Sequence, residues 1–341
     1  MGLKILFFSH KFYPDVGGIE SNSEILANCF SKAGHEICLV TWSEDTACKF
    51  FPYKIIRNPG KKQLFQVHKW ADVIFENNPC LRLSWPNLYF NKPSVIALNT
   101  WISRVDGKKG IQDKLKLIFL KRASNIIAVS NALRVKCWPA AIVIGNPYKE
   151  EIFKIIPTIN RTNHFVFLGR LVSDKGANLA IEAMEYFPNY GLTIIGDGPE
   201  LENLKKLVEK LELKERIDFT GSLSGEELVQ CLNKHHYILV PSVWEEPFGN
   251  VVLEGMACGC LPIVSKSGGL PDAVGKAGVT FKNGSVNNLV EVINEVIADT
   301  AYELQLRSYA SDHLLAHRSQ IIANRYLKII EEAAKLKKQL L

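Results

Sequence analysis

The sequence lacks the features of a membrane span and of a metal centre. No uncharged apolar run approaches the roughly 20 residues that a membrane-spanning helix needs. None of the eight cysteines forms a CxxC pair or has companion histidines at zinc-ligand spacing. We therefore predict buried free thiols, no metal site and no redox dithiol.

The signatures of several other protein classes are missing as well. Neither half carries G-x-G-x-x-G with an acidic residue about 20 residues further on, which disfavours an oxidoreductase. The basic residues accompany no helix-turn-helix, RNP or zinc-finger pattern, so nucleic acid is not an expected partner. No small-residue cleavage site follows the first apolar run, which predicts a first strand and a cytoplasmic protein.

Positive charge is concentrated in the first half of the chain. Residues 1–150 hold 21 Lys+Arg against 11 Asp+Glu, a net charge of +10, whereas the remainder carries 20 against 24, or −4. Residues 113–125, with Trp101 upstream, are basic on one side and apolar on another. This segment either docks peripherally on an anionic membrane surface or packs on its own sheet with solvated lysines.

Short apolar runs alternate with amphipathic segments, which predicts an α/β fold with parallel, doubly wound sheets. The predicted strands are 4–9, 36–41, 72–76, 94–99, 125–130, 141–145, 164–169, 191–196, 216–221, 237–242 and 261–265. The predicted helices include 19–33, 111–123, 176–187, 199–211, 224–234, 250–258 and 286–298, the first of them closed by Gly34.

A polar, proline-bearing stretch at 145–163 separates two such series. We predict one Rossmann-like domain over residues 1–150 and a second over 151–318, with ligands held between them at the carboxyl ends of the strands. The last segment, 319–341, is helical, with Ile321, Ile322, Tyr326, Ile329 and Ile330 at helical spacing. It either returns to the first domain or forms a solvated tail.

Glycine-containing junctions follow several predicted strands. Gly17 and Gly18 lead into the helix at 19, where exposed amides could hold a diphosphate or simply form a tight turn. In "FLGRLVSDKG" (167–176), Arg170 and Lys175 leave a strand and could neutralise a diphosphate, the alternative being surface charge. In "IIGDGPE" (194–200), Pro199 suits the first position of a helix.

The stretch "WEEPFGNVVLEGMACG" (244–259) contains two separated glutamates. Asn250 is predicted to cap a helix that begins at Val251, which would place Glu254 in the first turn. Glu246 lies outside the predicted helix, so the helix dipole does not account for an acidic residue at this position. Carboxylates suit vicinal sugar hydroxyls, so amides, cations and carboxylates together outline a nucleotide-sugar site.

With these motifs the chain resembles retaining glycosyltransferases of the GT-B fold, in the large family numbered four. The resemblance runs from residue 3 to at least 275. Its motifs are "GGIE" at 17–20, "AVSNA" at 128–132, "GRLVSDKG" at 169–176, "IIGDGPE" at 194–200, "DFTGSL" at 218–223 and the segment 241–272, with E-x7-E at Glu246 and Glu254.

The resemblance implies a role for each matching residue. Glu246 would contact the donor sugar and Glu254 the ribose, while Arg170 and Lys175 would hold the diphosphate. The remaining donor-binding positions are Gly17, Gly18, Gly221, Ser222, Leu223, Phe248, Gly249, Asn250 and Val251. Transfer would retain the anomeric configuration. No metal or other cofactor is expected, because Arg170, Lys175 and helix amides can stabilise the charge on the leaving diphosphate.

One position departs from the family pattern. Members usually carry a histidine after the strand "PSVIA" (93–97). This chain reads "LNTW" there, which gives the position to Asn99, a residue that can hydrogen-bond a hydroxyl but cannot act as an acid or base. His10, after the first strand, either faces the ligand or is structural.

The sequence thus predicts a cytoplasmic glycosyltransferase that acts on a glycan or lipid-linked acceptor in cell-surface polysaccharide or glycoconjugate synthesis. The alternatives are a non-catalytic nucleotide-sugar binding protein, which the Asn99 departure would allow, and a GT-B epimerase or phosphorylase.

Overall fold

The structure is a computed structural model that describes residues 2–15, 17–44, 49–102 and 110–338. The chain forms two compact units. The first comprises Met1–Pro147 and Ser319–Leu341, and the second comprises Tyr148–Arg318. Within the described residues, no helix is long and apolar enough to cross a membrane.

The first unit contains a seven-stranded parallel sheet in the order β3-β2-β1-β4-β5-β6-β7. Its strands are β1 (Lys4–Phe8), β2 (Glu36–Thr41), β3 (Lys54–Arg57), β4 (Val73–Asn77), β5 (Ser94–Leu98), β6 (Asn125–Ala128) and β7 (Ile142–Val143). Its helices are α1 (Gly18–Lys32), α2 (Lys61–Trp70), α3 (Leu81–Ser84), α4 (Asn87–Phe90), α5 (Ile111–Leu120), α6 (Asn131–Cys137) and α15 (Ser319–Lys338). The central strands β4 and β5 are buried at every position, as helices on both faces of a parallel sheet require.

The C-terminal helix α15 packs on the first unit and is not a solvated tail. It contacts α1, β4 and β5. Tyr326 is fully buried, with its ring edge-to-face against Phe75 at a centroid distance of 5.7 Å. Ile322 and Ile330 are also fully buried, whereas Ile321 is 41% exposed, so its assignment to the apolar face was wrong.

The second unit contains a six-stranded parallel sheet in the order β10-β9-β8-β11-β12-β13. Its strands are β8 (Thr162–Leu168), β9 (Leu192–Ile195), β10 (Ile217–Gly221), β11 (His235–Val240), β12 (Leu261–Ser265) and β13 (Val279–Phe281). Its α-helices are α7 (Ala177–Ala183), α8 (Leu201–Lys210), α9 (Gly225–Asn233), α10 (Asn250–Ala257), α11 (Leu270–Val274), α12 (Val286–Ala298), α13 (Thr300–Ser308) and α14 (Ala310–Ala316). Short 3-10 turns cover Ser173–Lys175 and Met184–Tyr186.

Strand order reverses around β8, the first strand of the second sheet. β8 pairs with β9 on one side and β11 on the other, all parallel. The chain therefore leaves β8 and β11 at the same edge, at the switch point where ligands of such sheets bind.

Two predicted helix starts were wrong. α10 begins at Asn250 and its N-cap is Gly249, with φ of 110°, a left-handed conformation that favours glycine over asparagine. α8 begins at Leu201 after Glu200, so Pro199 precedes the helix. No cysteine that the structure describes forms a disulfide, but Cys137 and Cys231 are only half-buried.

Candidate functional site

Two loops that leave the carboxyl ends of β8 and β11 lie against each other. The amides of Val243 and Trp244 donate to the carbonyl oxygen of Asp174 at 2.9 and 3.2 Å. Gly176, with φ of 70°, packs so closely on this loop that a Cβ atom would lie 2.1 Å from the carbonyl oxygen of Pro241. Backbone contacts thus fix the segment that carries Lys175 against the segment that carries Glu246.

Lys175 and Glu246 form an ion pair between these loops. The Lys175 ammonium donates to Oε1 of Glu246, and the Ser242 hydroxyl donates to the same oxygen at 2.9 Å. Glu246 is 9% exposed, and the Lys175 ammonium also lies 5.9 Å from the centre of the Trp244 ring. The two predicted site residues are therefore brought into direct contact, which gives Glu246 a structural partner that the sequence did not reveal.

A third loop, which follows β12, holds Glu246 from the other side. The Gly269 amide donates to the Glu246 carbonyl oxygen at 2.7 Å. A Cβ atom on Gly268 would lie 2.2 Å from the same oxygen, and this glycine has φ of 56°. The Ser265 hydroxyl donates to the Ser242 carbonyl oxygen at 2.6 Å. Three neighbouring strands thus position one carboxylate.

The start of α10 lies directly after the loop that follows β11. The first amides of a helix have no intrahelical acceptor and attract anions, which makes Asn250 and Val251 suitable for a phosphate group. The Val252 amide already donates to the Gly249 carbonyl oxygen at 3.1 Å. Phe248 is 2% exposed and its ring lies 5.6 Å from that of His317, so its side chain is not available to a ligand.

Glu254 occupies the second turn of α10, not the first turn as predicted. Burial raises the pKa of its carboxyl to about 7, and the nearby Lys149 charge opposes that rise. Glu254 therefore changes its ionisation near neutral pH, unlike an ordinary glutamate.

The remaining donor-site candidates lie on loops at the same edge of the sheet. Arg170 follows β8; its side chain is exposed and has no ion pair among the described residues. Gly221 ends β10 with φ of 72°, and its carbonyl oxygen accepts the Gly196 amide at 2.9 Å. Ser222 is exposed and Leu223 is half-buried in the loop that follows.

The glycine pair of the first unit opens α1. Gly17 is extended, with φ of 172°, and Gly18 is the first helical residue. Both are exposed, and a Cβ atom on Gly17 would meet only the end of the Glu20 side chain. Backbone strain therefore does not account for this pair.

Asn99 lies in a buried cluster of amides beneath α1 and is 7% exposed. Its amide nitrogen donates to Oδ1 of Asn77 at 2.7 Å, and its side-chain oxygen accepts from Asn22 at 3.2 Å. Asn22 also donates to Oδ1 of Asn146 at 3.3 Å. For Asn99 to contact a donor hydroxyl as predicted, one of these hydrogen bonds would have to break, or the hydroxyl would have to share the Asn99 side-chain oxygen with Asn22.

His10 lines a cavity of 440 Å³ at the carboxyl ends of β1, β2 and β4. Arg82 and Lys116 contribute positive charge to the lining, which has no acidic side chain in the part of the chain described. Apolar lining comes from Trp42, Pro79, Cys80, Leu81, Leu83 and Leu115. Desolvation and the charges of Arg82 and Lys11 lower the pKa of His10.

Ser242 and Arg82 were not predicted from the sequence. Ser242 follows a strand in a loop without regular periodicity, so its spacing of four from Glu246 carried no signal. Arg82 belongs to a four-residue helix that was too short to recognise. Among the described residues, no group of three or more His, Cys, Asp or Glu side chains could hold a metal ion.

Residues 148–313 match the family described as Glycosyl transferases group 1. The chain is 30% identical to the phosphatidylinositol N-acetylglucosaminyltransferase gpi3 subunit of Schizosaccharomyces pombe, over 84% of this chain and 71% of that protein. It is 24% identical to the phosphatidylinositol N-acetylglucosaminyltransferase GPI3 subunit of Saccharomyces cerevisiae, over 87% of this chain and 75% of that protein.

Solved structures share the fold. A crystal structure of Anabaena Alr3699/HepE in complex with UDP and glucose has a TM-score of 0.80 and 21% identity, covering 96% of this chain and 99% of that chain. Sucrose-phosphate synthase from Thermosynechococcus elongatus has a TM-score of 0.75 and 20% identity, covering 99% of each. The predicted two-domain, Rossmann-like GT-B fold is confirmed. The chain belongs to the glycosyl transferases group 1 family, which confirms the prediction of a glycosyltransferase.

Proposed function

We propose that the protein is a retaining glycosyltransferase that takes its sugar from a nucleoside diphosphate-sugar and passes it to a lipid-linked or glycan acceptor. The observation that carries the proposal is the contact between Lys175 and Glu246 beside the start of α10. A cation, a carboxylate and the first amides of a helix at the carboxyl edge of one sheet match the phosphate and hydroxyl groups of such a donor.

Each donor group has a matching place on this edge. Arg170, Lys175 and the first amides of α10 take the diphosphate, Glu246 takes sugar hydroxyls and Glu254 takes the ribose. Gly221, Ser222 and Leu223 lie next to the base. The UDP and glucose in the HepE crystal structure support this choice of donor class.

In the transfer step the bond between the anomeric carbon and the phosphate oxygen breaks, and a bond to the acceptor oxygen forms on the same face. The acceptor proton passes to a leaving phosphate oxygen, so Glu246 need not act as a base. Arg170 and Lys175 stabilise the charge that develops on the diphosphate, which is the reason that we expect no metal.

The acceptor belongs to the cavity that His10 lines. Its cations, Arg82 and Lys116, suit a phosphate, and its apolar lining suits a lipid. On α5, Leu115 and Ile118 are 52% and 60% exposed, which favours peripheral contact with an anionic membrane surface on the cytoplasmic side. The phosphatidylinositol in the names of the two yeast relatives supports a lipid acceptor.

A transfer assay tests the proposal. The full chain is incubated with UDP-N-acetylglucosamine or UDP-glucose and vesicles of phosphatidylinositol in phosphatidylcholine, and proton NMR reads the anomeric configuration of the product. We expect an α-linked product that Glu246→Gln abolishes. Donor binding without turnover on these vesicles and on a cell glycolipid extract would favour the binding-protein alternative, which the engaged amide of Asn99 allows.

A further inference from the structure

A second cavity, of 730 Å³, lies at the opposite edge of the first sheet. Its lining includes Glu36 and Lys54, the first residues of β2 and β3, whereas His10 and Trp42 follow the carboxyl ends of β1 and β2. Its volume falls within the range of about 300–1,000 Å³ that is typical of small-molecule sites. The donor and acceptor roles proposed above do not use this cavity.

One face of α2 supplies an aromatic ring and two amides to the cavity. Gln63, Gln66, Val67 and Trp70 all line it, and their spacing places them along one stripe of the helix. Val67 is 7% exposed and forms part of the floor, while Trp70 is half-buried against the core under α2. A fixed indole ring thus stands beside two flexible polar side chains.

The two glutamine side chains are free to bind a ligand. Both are exposed, and neither amide has a hydrogen-bond partner within the described residues. Each amide offers two donors and one acceptor oxygen, which matches hydroxyl groups that both donate and accept. An aromatic ring beside such amides provides the apolar surface that the C–H face of a sugar needs.

The charges of the lining balance. Lys54 and Glu36 are both exposed at the cavity, one of each sign. His35 is already engaged, since its Nδ1 accepts the Leu3 amide at 3.2 Å and its Nε2 lies 3.5 Å from Glu331. This lining has no net positive charge to attract a nucleotide or a phosphorylated ligand, in contrast to the cavity that His10 lines.

We propose that this cavity is a second carbohydrate-binding site that takes a neutral oligosaccharide, with Trp70 stacked on a sugar ring and Gln63 and Gln66 bound to its hydroxyls. The site goes beyond the transfer reaction, because it lies at the other edge of the sheet and its occupation requires no donor. It would hold a distant part of a glycan substrate or product.

An oligosaccharide array with neutral and acidic members, probed with the full chain, tests the proposal. We expect at least one neutral member to bind, and its affinity is then measured by isothermal titration. Gln63→Ala, Gln66→Ala and Trp70→Ala should each weaken it, by about tenfold for Trp70 as a central aromatic anchor. The glutamine variants keep the test valid if Trp70→Ala fails to fold.

Gln230→Ala is the matched control, since Gln230 is an exposed glutamine on a helix of the second unit. It should bind the oligosaccharide like the wild type, as should Glu246→Gln. Binding of acidic members alone, no binding at all, or unchanged affinity in both glutamine variants would overturn the proposal. Competition by UDP-glucose would also overturn it, because the oligosaccharide would then occupy the donor site.

Discussion

The Lys175 ammonium is bonded to the Glu246 carboxylate, although the proposed reaction uses the first on phosphate and the second on sugar. In the absence of a donor each group neutralises the other, so neither charge is buried alone. In the proposed reaction an arriving diphosphate would compete for Lys175, and sugar hydroxyls would replace the ammonium on Glu246. The pair would therefore link the two halves of donor recognition.

Ser242→Ala should lower turnover several-fold without abolishing it. The Ser242 hydroxyl donates to the Glu246 carboxylate at 2.9 Å, and its loss removes a hydrogen bond of about 1 kcal/mol that orients this carboxylate. Initial rates at saturating donor measure the effect. Ser308→Ala is the control, since that hydroxyl is exposed and bonds only locally to Gln305. Equal rates in both variants would show that Ser242 does not position the carboxylate.

Gly176→Ala and Gly268→Ala should each destabilise the second unit by about 2 kcal/mol or more, because a left-handed residue would gain a Cβ atom against a carbonyl oxygen. Urea unfolding measures the change. Gly221→Ala separates the two causes, since Gly221 also has positive φ but has nothing within 4 Å of its added Cβ. If it loses as much stability as the others, backbone conformation alone explains the result.

Donor affinity should rise with pH through about 7, the pKa to which burial raises Glu254. The raised pKa keeps this carboxyl protonated in mild acid, and the ionised form would accept hydrogen bonds from the ribose hydroxyls more strongly than the protonated form. Titration of UDP-glucose across this range measures the dependence. Glu254→Gln should bind UDP-glucose weakly at all pH values. If this variant kept the wild-type pH profile, the assignment of Glu254 to the ribose would be refuted.

Asn99→Ala should cost about 1–3 kcal/mol of stability, because it leaves the buried Oδ1 of Asn77 without the donor from Asn99 and removes one of the acceptors of the Asn22 amide. Unfolding in urea reports the loss. Asn203→Ala, which removes an exposed amide that donates to Glu200, should stay within about 0.5 kcal/mol of the wild type. A near-neutral Asn99→Ala would show that the amide cluster contributes little to the fold.

Periodicity and strand-end motifs predicted much of this architecture. β2, β12 and α12 begin and end where their patterns predicted. The edge strands β3 and β13 were missed, because their four and three residues are too short to show the apolar run of a buried parallel strand. The helix α2 was missed as well. Element ends were less accurate where glycine conformation decides them, as at Gly249.

The candidate site was predicted as a set of residues but not as an arrangement. The motifs named Lys175 and Glu246, yet their contact depends on the pairing of β8 with β11, which are far apart in the chain. The raised pKa of Glu254 likewise follows from tertiary burial and has no local sequence signal. Gly268 is required by its approach to Glu246, which only the folded chain reveals.

Isothermal titration of UDP and UDP-glucose into the wild type, Lys175→Ala and Glu246→Gln tests the central claim most directly. Lys175→Ala should bind both ligands about tenfold more weakly or worse, since a charge-assisted phosphate contact is lost. Glu246→Gln should bind UDP at least as tightly as the wild type, because Lys175 is released, but should lose any preference for UDP-glucose. Lys205→Ala, an exposed lysine paired with Glu202, is the control. Unchanged binding of both ligands to Lys175→Ala would contradict the account.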